Sequence, residues 1–126
     1  MAMEPKYCPF CNISREIILE SDMCMAIYDQ YPVSKGHVLV IPRRHMKDYF
    51  GLSQQEIKDL WVMVEKVKEF LESKYKPDGY NIGFNVGMAA GQTIDHVHIH
   101  VIPRYKGDME DPTGGVRHVI PEKGKY

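Results

Sequence analysis

Apolar and polar positions change their period several times along this chain. Met23-Cys24-Met25-Ala26-Ile27-Tyr28-Asp29 reads as a strand, and so does His37-Val38-Leu39-Val40-Ile41, stopped by Pro42 because proline cannot donate to a ladder. After Ser53-Gln54-Gln55-Glu56 the period lengthens. These four residues form a capping box, in which hydroxyl and carboxylate reciprocally satisfy free amides. Ile57, Leu60, Trp61, Val64, Val67 and Leu71 then recur at helical spacing, with Lys68 as a polar interruption. This predicts one long helix ending before Pro77-Asp78-Gly79. Residues 80–86 predict another strand, 87–93 a glycine-rich loop, and 96–102 a last strand closed by Pro103. Residues 13–20 predict a short N-terminal helix, and the glycine-, proline- and charge-rich stretch 105–126 predicts an irregular tail. Strands outnumber helices and most strand pairs lack a helical crossover, so the expected class is α+β, an antiparallel sheet with one main helix.

Composition narrows the function. The 126 residues fit one domain, 1–126, with an N-terminal Cys-x-x-Cys segment at 1–11. A chain of this size buries roughly two-thirds of its unfolded surface, enough for a core without disulfides. The net charge of -1 argues against a nonspecific nucleic-acid partner but not against a small anion held by local donors. No apolar run of about 18 residues predicts a transmembrane helix, so no membrane partner is expected. Residues 1–11 lack the apolar core of a signal peptide, and a cytoplasmic location is expected. Two of the three cysteines form Cys8-Pro9-Phe10-Cys11, a poor disulfide framework that points instead to metal or redox chemistry.

The last strand carries the sharpest chemistry. Strand side chains alternate, so His96, His98 and His100 share one face while Val97, Ile99 and Val101 share the other and can pack on the helix. Three imidazoles in a row can carry protons, bind a metal or attack phosphorus. A solvated sheet face is the competing explanation, although Thr, Lys or Glu would serve that purpose equally. Just upstream, Gly87 and Gly91 permit close backbone approach, successive loop amides can cradle an anion, and Gln92 and Thr93 add neutral donors. Asp29, ahead of Tyr31-Pro32, suits a turn as well as a binding role.

Gly91-Gln92-Thr93-Ile94-Asp95-His96-Val97-His98-Ile99-His100-Val101-Ile102-Pro103-Arg104 resembles the signature of the histidine-triad family. Asp29, followed eight residues later by His37 in Gly36-His37-Val38-Leu39-Val40-Ile41-Pro42, resembles the family's upstream block. The resemblance covers roughly residues 7–106. It implies a homodimer in which two five-stranded antiparallel sheets join into one, and chemistry at the α-phosphate of a nucleotide conjugate. By resemblance, His98 attacks and forms a nucleotidyl-histidine that water hydrolyses, with its other ring nitrogen oriented by the backbone carbonyl of His96. His37 and His100 would support the phosphate. Asn85, Gly91, Gln92 and Thr93 would contact phosphates and leaving group. Asp29 would accept the ribose hydroxyls, and Ile27 would wall the base.

Gly91-Gln92-Thr93 and Ile102-Pro103-Arg104 look more like the dinucleoside-polyphosphate hydrolase branch than the purine nucleoside phosphoramidase branch. The same scaffold also suits a dinucleoside-polyphosphate phosphorylase, or a nucleotide-binding interaction protein with little turnover; the intact histidines disfavour the last. Gly114-Gly115-Val116-Arg117-His118-Val119-Ile120-Pro121 resembles an extension of some microbial members, in which Arg117 and His118 reach a distal phosphate or, as the favoured expectation, make surface or dimer contacts. The cysteine pair, completed by His45 and His96, forms a candidate tetrahedral set for one structural zinc ion, with no organic cofactor expected. Resemblance to members that carry the same pair, including the distant galactose-1-phosphate uridylyltransferases, brings those histidines to the N-terminal segment. Cys24 is expected in the core.

Overall fold

The computed structural model describes residues 3–126; positions 1 and 2 of the expected domain and N-terminal segment lie outside the described residues. Five strands, β1 (Leu19–Glu20), β2 (Cys24–Tyr28), β3 (Val38–Pro42), β4 (Gly79–Gly83) and β5 (Ile99–Arg104), form one antiparallel sheet in the order β1-β2-β3-β5-β4. The helix α1 (Gln54–Lys74) crosses one face. It starts where the capping box predicts: Ser53 accepts from the Glu56 amide, and the Glu56 carboxylate accepts from the Ser53 amide. Arg44 donates twice to the same carboxylate, at 3.0 and 2.8 Å, and holds it down to a pKa of about 2. Leu60, Met63, Val64, Val67 and Leu71 of α1 pack on Ala26, Val38, Val40, Val97, Ile99 and Val101. Each such aliphatic side chain contributes about 1.5–3 kcal/mol on burial, so this layer supplies much of the fold's driving force. Among the described residues no helix is long and apolar enough to cross a membrane.

The other face of the sheet is covered only at its ends. Over β2 and β3 the N-terminal segment lays Cys8 and Phe10 on Met25, Ile27, Leu39 and Ile41. Near β4 and β5 the tail sets Gly115, Val116, His118 and Val119 around a space shared with Ile82 and Ile102. Between these two covers lie His98 and His100, both half-buried.

The sequence expectation fails at residues 13–20. They form no helix; the Ile18 amide donates to Ala26 at 2.8 Å, and Leu19–Glu20 pairs with Met25–Ala26 as β1. Here tertiary pairing overrides an apolar spacing that mimics a helix. The short helical turn near the N-terminus is a 3-10 turn at Pro5–Tyr7 instead. The tail is more regular than expected, with 3-10 turns at Gly115–Val119 and Pro121–Lys123. Both prolines expected to end strands lie inside them. Pro42 pairs only with β2 and Pro103 only with β4, because the β3–β5 ladder runs only from Val38–Val101 to Val40–Ile99. A missing amide is tolerated where one side of the ladder has ended.

Candidate active site

His98 lies on the approach to β5, just outside the ladder, and His100 lies within it. The Nδ1–H of His98 donates to the carbonyl of His96 at 2.8 Å. That bond leaves Nε2 with its lone pair free, the form in which an imidazole is a nucleophile. The ring of Phe10, at the tip of the cysteine knuckle, meets His98 edge-on.

A second chain of hydrogen bonds sets the other tautomers. The Val33 amide donates to Nδ1 of His37 at 3.0 Å, so the proton of neutral His37 sits on Nε2. Nε2–H then donates to Nδ1 of His100 at 3.0 Å, which leaves the His100 proton on its own Nε2. Gly36 permits this placement of His37. Its φ is +91°, and a Cβ there would lie 2.9 Å from the ring of Tyr75. The Asp29 carboxylate stands 3.4 Å from His37 and 3.9 Å from His100, while its other oxygen accepts from the Tyr31 amide. Asp29 thus makes the turn and faces the histidines at once. Burial pushes His37 and His98 below the ordinary histidine range; Asp29 opposes this at both. Burial, reinforced by the neighbouring histidines, lowers His100 to about 4. All three rings are therefore neutral near pH 7.

These groups line a cavity of about 370 Å³ together with Asn85, Gly91, Gln92 and Thr93. Ile27 does not reach it. That side chain is fully buried under the N-terminal segment, and its cross-strand partner Leu39 lines the cavity with Pro9, Phe10 and Arg15. Sequence reasoning marks none of these four as a wall; Phe10 has one usable signal, its place inside the cysteine pair. Gln92 lines the cavity, but its amide is already engaged. It accepts from the Gly87 amide and donates to the carbonyls of Lys47 and Ile94. The glycine loop does not offer a ring of free amides either, because those of Ala90, Gly91 and Gln92 bond within the loop. Of the expected contacts, exposed Asn85 and Thr93 remain as neutral polar groups lining the cavity, and Gln30 and Tyr31 join them.

Beside the histidine strand, Cys8, Cys11, His45 and His96 bring their ligand atoms within 4.8 Å of one another. Sγ of Cys8 lies 3.3 Å from Nδ1 of His96, and Sγ of Cys11 lies 3.2 Å from Nδ1 of His45. Sulfur and nitrogen ligands of one tetrahedral zinc stand about 3.5 Å apart, given bonds of about 2.3 and 2.0 Å. Both histidines turn Nε2–H outward, to the carbonyls of Pro42 (2.7 Å) and Met3 (3.1 Å). Their Nδ1 lone pairs consequently face the sulfurs, the outer-sphere pattern of metal-binding histidines. A second compact group, Asp29, His37 and His100, does not fit a metal, because the Val33 amide commits His37 Nε2 to a proton.

The family model described as HIT domain matches residues 11–107. The chain is 38% identical over 103 residues to a bis(5'-adenosyl)-triphosphatase of Dictyostelium discoideum, covering 82% of this chain and 69% of that one. It is 35% identical to an asymmetrical bis(5'-nucleosyl)-tetraphosphatase of Schizosaccharomyces pombe, covering 79% of this chain and 54% of that longer one. The crystal structure of a zinc-bound histidine triad family protein from Mycobacterium smegmatis superposes with a TM-score of 0.77 at 31% identity. That match covers 86% of this chain and 82% of the other.

Proposed function

This chain belongs to the HIT domain family, and from that premise we propose that it hydrolyses dinucleoside polyphosphates at an α-phosphorus through a nucleotidyl-histidine on His98. The observation that carries the proposal is the bond from His98 Nδ1 to the His96 carbonyl, which aims a free Nε2 lone pair into a cavity bordered by Asp29. Nε2 forms a P–N bond as the bond from phosphorus to the bridging oxygen breaks, and the leaving nucleotide departs with that oxygen. Water then forms a new P–O bond, and the electron pair of the P–N bond returns to Nε2. The Nε2–H of His100 donates to a non-bridging oxygen as its charge grows, a stabilisation strongest in the transition state. Asp29 accepts from the ribose hydroxyls with the oxygen that faces the cavity.

Rapid quenching with diadenosine tetraphosphate radiolabelled at its α-phosphates tests this. Wild type should carry acid-labile, base-stable label, and His98→Asn should carry none and lose turnover while still binding nucleotide. Substantial turnover by His98→Asn overturns the assignment. Running the reaction with and without inorganic phosphate identifies the acceptor.

A zinc ion held by Cys8, Cys11, His45 and His96 completes the proposal. The donor set and its outward hydrogen bonds support it. When bound, the ion supplies rigidity, fastening the N-terminal knuckle to the strand that carries His98. A homodimer fits the outer edge of β4, which has no partner strand among the described residues. Three cysteines outside any disulfide suit the reducing cytoplasm.

A further inference from the structure

The chain holds five arginines, and four of them spend the same edge of the guanidinium on protein. Arg44 and Arg104 give Nε–H and Nη2–H to the carboxylates of Glu56 and Asp108. Arg117 gives them to the carbonyls of Gly124 and Lys123, which commits it within the tail. Arg43 gives Nε–H to the Ser21 carbonyl and sets Nη2 3.4 Å from Glu20. Arg15 differs. It is fixed through Nη1–H, which donates to the Tyr28 carbonyl at 3.2 Å, and its Nε–Nη2 edge has no protein partner among the described residues. Among those residues Arg15 is also the one lysine or arginine that lines the histidine cavity.

Its place in the sheet assigns that edge a target. Tyr28 ends β2, one residue before Asp29. His98 and His100 belong to the β5 segment, two strands further across, about 10 Å at the spacing of neighbouring strands. A phosphate at the histidines and a ribose at Asp29 therefore put the base beside Arg15. Pro9, Phe10 and Leu39 line the same cavity and supply apolar surface for a flat ring.

We propose that the unspent edge of Arg15 reads the base of the bound nucleoside and selects guanine over adenine; the inference rests on the reading of the protein as a dinucleoside-polyphosphate hydrolase. Guanine presents O6 and N7 side by side, two acceptors that match two parallel N–H groups. Adenine presents N7 beside an N6 amino group, so one N–H of the fork meets another donor. Selecting adenine needs an acceptor for that amino group. The carboxylate lining the cavity is Asp29, which the Tyr31 amide and the ribose take. The Gln30 amide and the Tyr31 hydroxyl offer donor and acceptor alike, so they do not choose between the bases.

The test is calorimetric binding of GMP, IMP, AMP and 7-deaza-GMP to wild type and to Arg15→Met, beside hydrolysis of diguanosine and diadenosine tetraphosphates. GMP and IMP share O6 and N7. Each should bind wild type about tenfold tighter than AMP, the lower end of what a bidentate arginine contributes, because Arg15 is only half-buried. 7-Deaza-GMP, lacking N7, should fall towards AMP. Arg15→Met should weaken GMP to the level of AMP and leave AMP unchanged. The analogue series on wild type decides the question even where the variant unfolds. Equal affinity of wild type for GMP and AMP overturns the inference. So does equal weakening of both by Arg15→Met, which would give Arg15 to the phosphate or the fold. Cleavage of diadenosine tetraphosphate by a wild type without base preference removes the base reading alone. No cleavage of either dinucleotide removes the proposed function and the base reading with it.

Discussion

Phe10 sets its ring edge against the imidazole of His98, with centroids 5.0 Å apart and planes inclined at 62°. The tip of the cysteine knuckle is therefore a wall of the nucleophile. Phe10→Leu should cost under about 1.5 kcal/mol of stability, against about 3–5 kcal/mol for Phe10→Ala. Both should lower kcat by loosening His98. Denaturant titration beside steady-state kinetics separates the effects, and a wild-type kcat in Phe10→Leu would show that the ring only fills space.

The hydrogen bonds assign opposite tautomers to neighbouring histidines. His98 carries its proton on Nδ1, whereas His37 and His100 carry theirs on Nε2. Long-range proton–nitrogen NMR spectra at pH 7.5 should show this split. His37→Ala should blur the His100 tautomer and lower kcat by roughly a hundredfold, since an acid–base or positioning partner contributes on that scale. A sharp, unchanged His100 signal in that variant would contradict the chain from Val33.

Acid should destabilise the protein through His100. Its folded pKa of about 4 lies below the ordinary 6.5, so the unfolded chain binds the proton first as pH falls. The stability linked to this ring is fully present above pH 6.5 and is lost as pH falls through about 4. Thermal melts between pH 7 and pH 4 should show a shallower decline in His100→Asn than in wild type. Parallel declines would assign the acid sensitivity to other groups.

Protein purified without chelator should hold one zinc per chain. Cys8→Ala with Cys11→Ala should lose it and melt lower, on the order of 10 °C for the 2–3 kcal/mol a lost structural site removes. Elemental analysis and calorimetry check both halves. Metal-free wild type of full stability would leave the cysteines without that role.

The parts of the fold visible in the sequence are those set by local rules. Ser53 and Glu56 announce α1 because a cap needs only four residues, and Val97, Ile99 and Val101 announce their buried face because strand alternation is local. β1 is hidden because two residues acquire strand character only from Ala26 and Met25 across the turn. The motif assigns Ile27 and Gln92 to the cavity, but a motif does not say which atoms are already engaged. Ile27 is covered by the N-terminal segment, and Gln92 spends its amide on the backbone of Gly87, Lys47 and Ile94. Arg15 carries no sequence signal as a site component, because its proximity depends on how the N-terminal segment drapes over the sheet.

His96 serves two masters with different parts of itself. Its imidazole faces the sulfurs, and its main-chain carbonyl orients His98. Any amino acid supplies the carbonyl, so mutation at this position takes the imidazole away from the sulfurs and keeps the main-chain bond that orients His98. A lineage is free to abandon the cysteines and this imidazole together, finding rigidity elsewhere, without reinventing its reaction. The converse also holds: His98 can drift once catalysis is no longer selected, and the knuckle will still fasten the end of the chain. Inheritance can therefore uncouple scaffold from reactivity at a spacing of two residues.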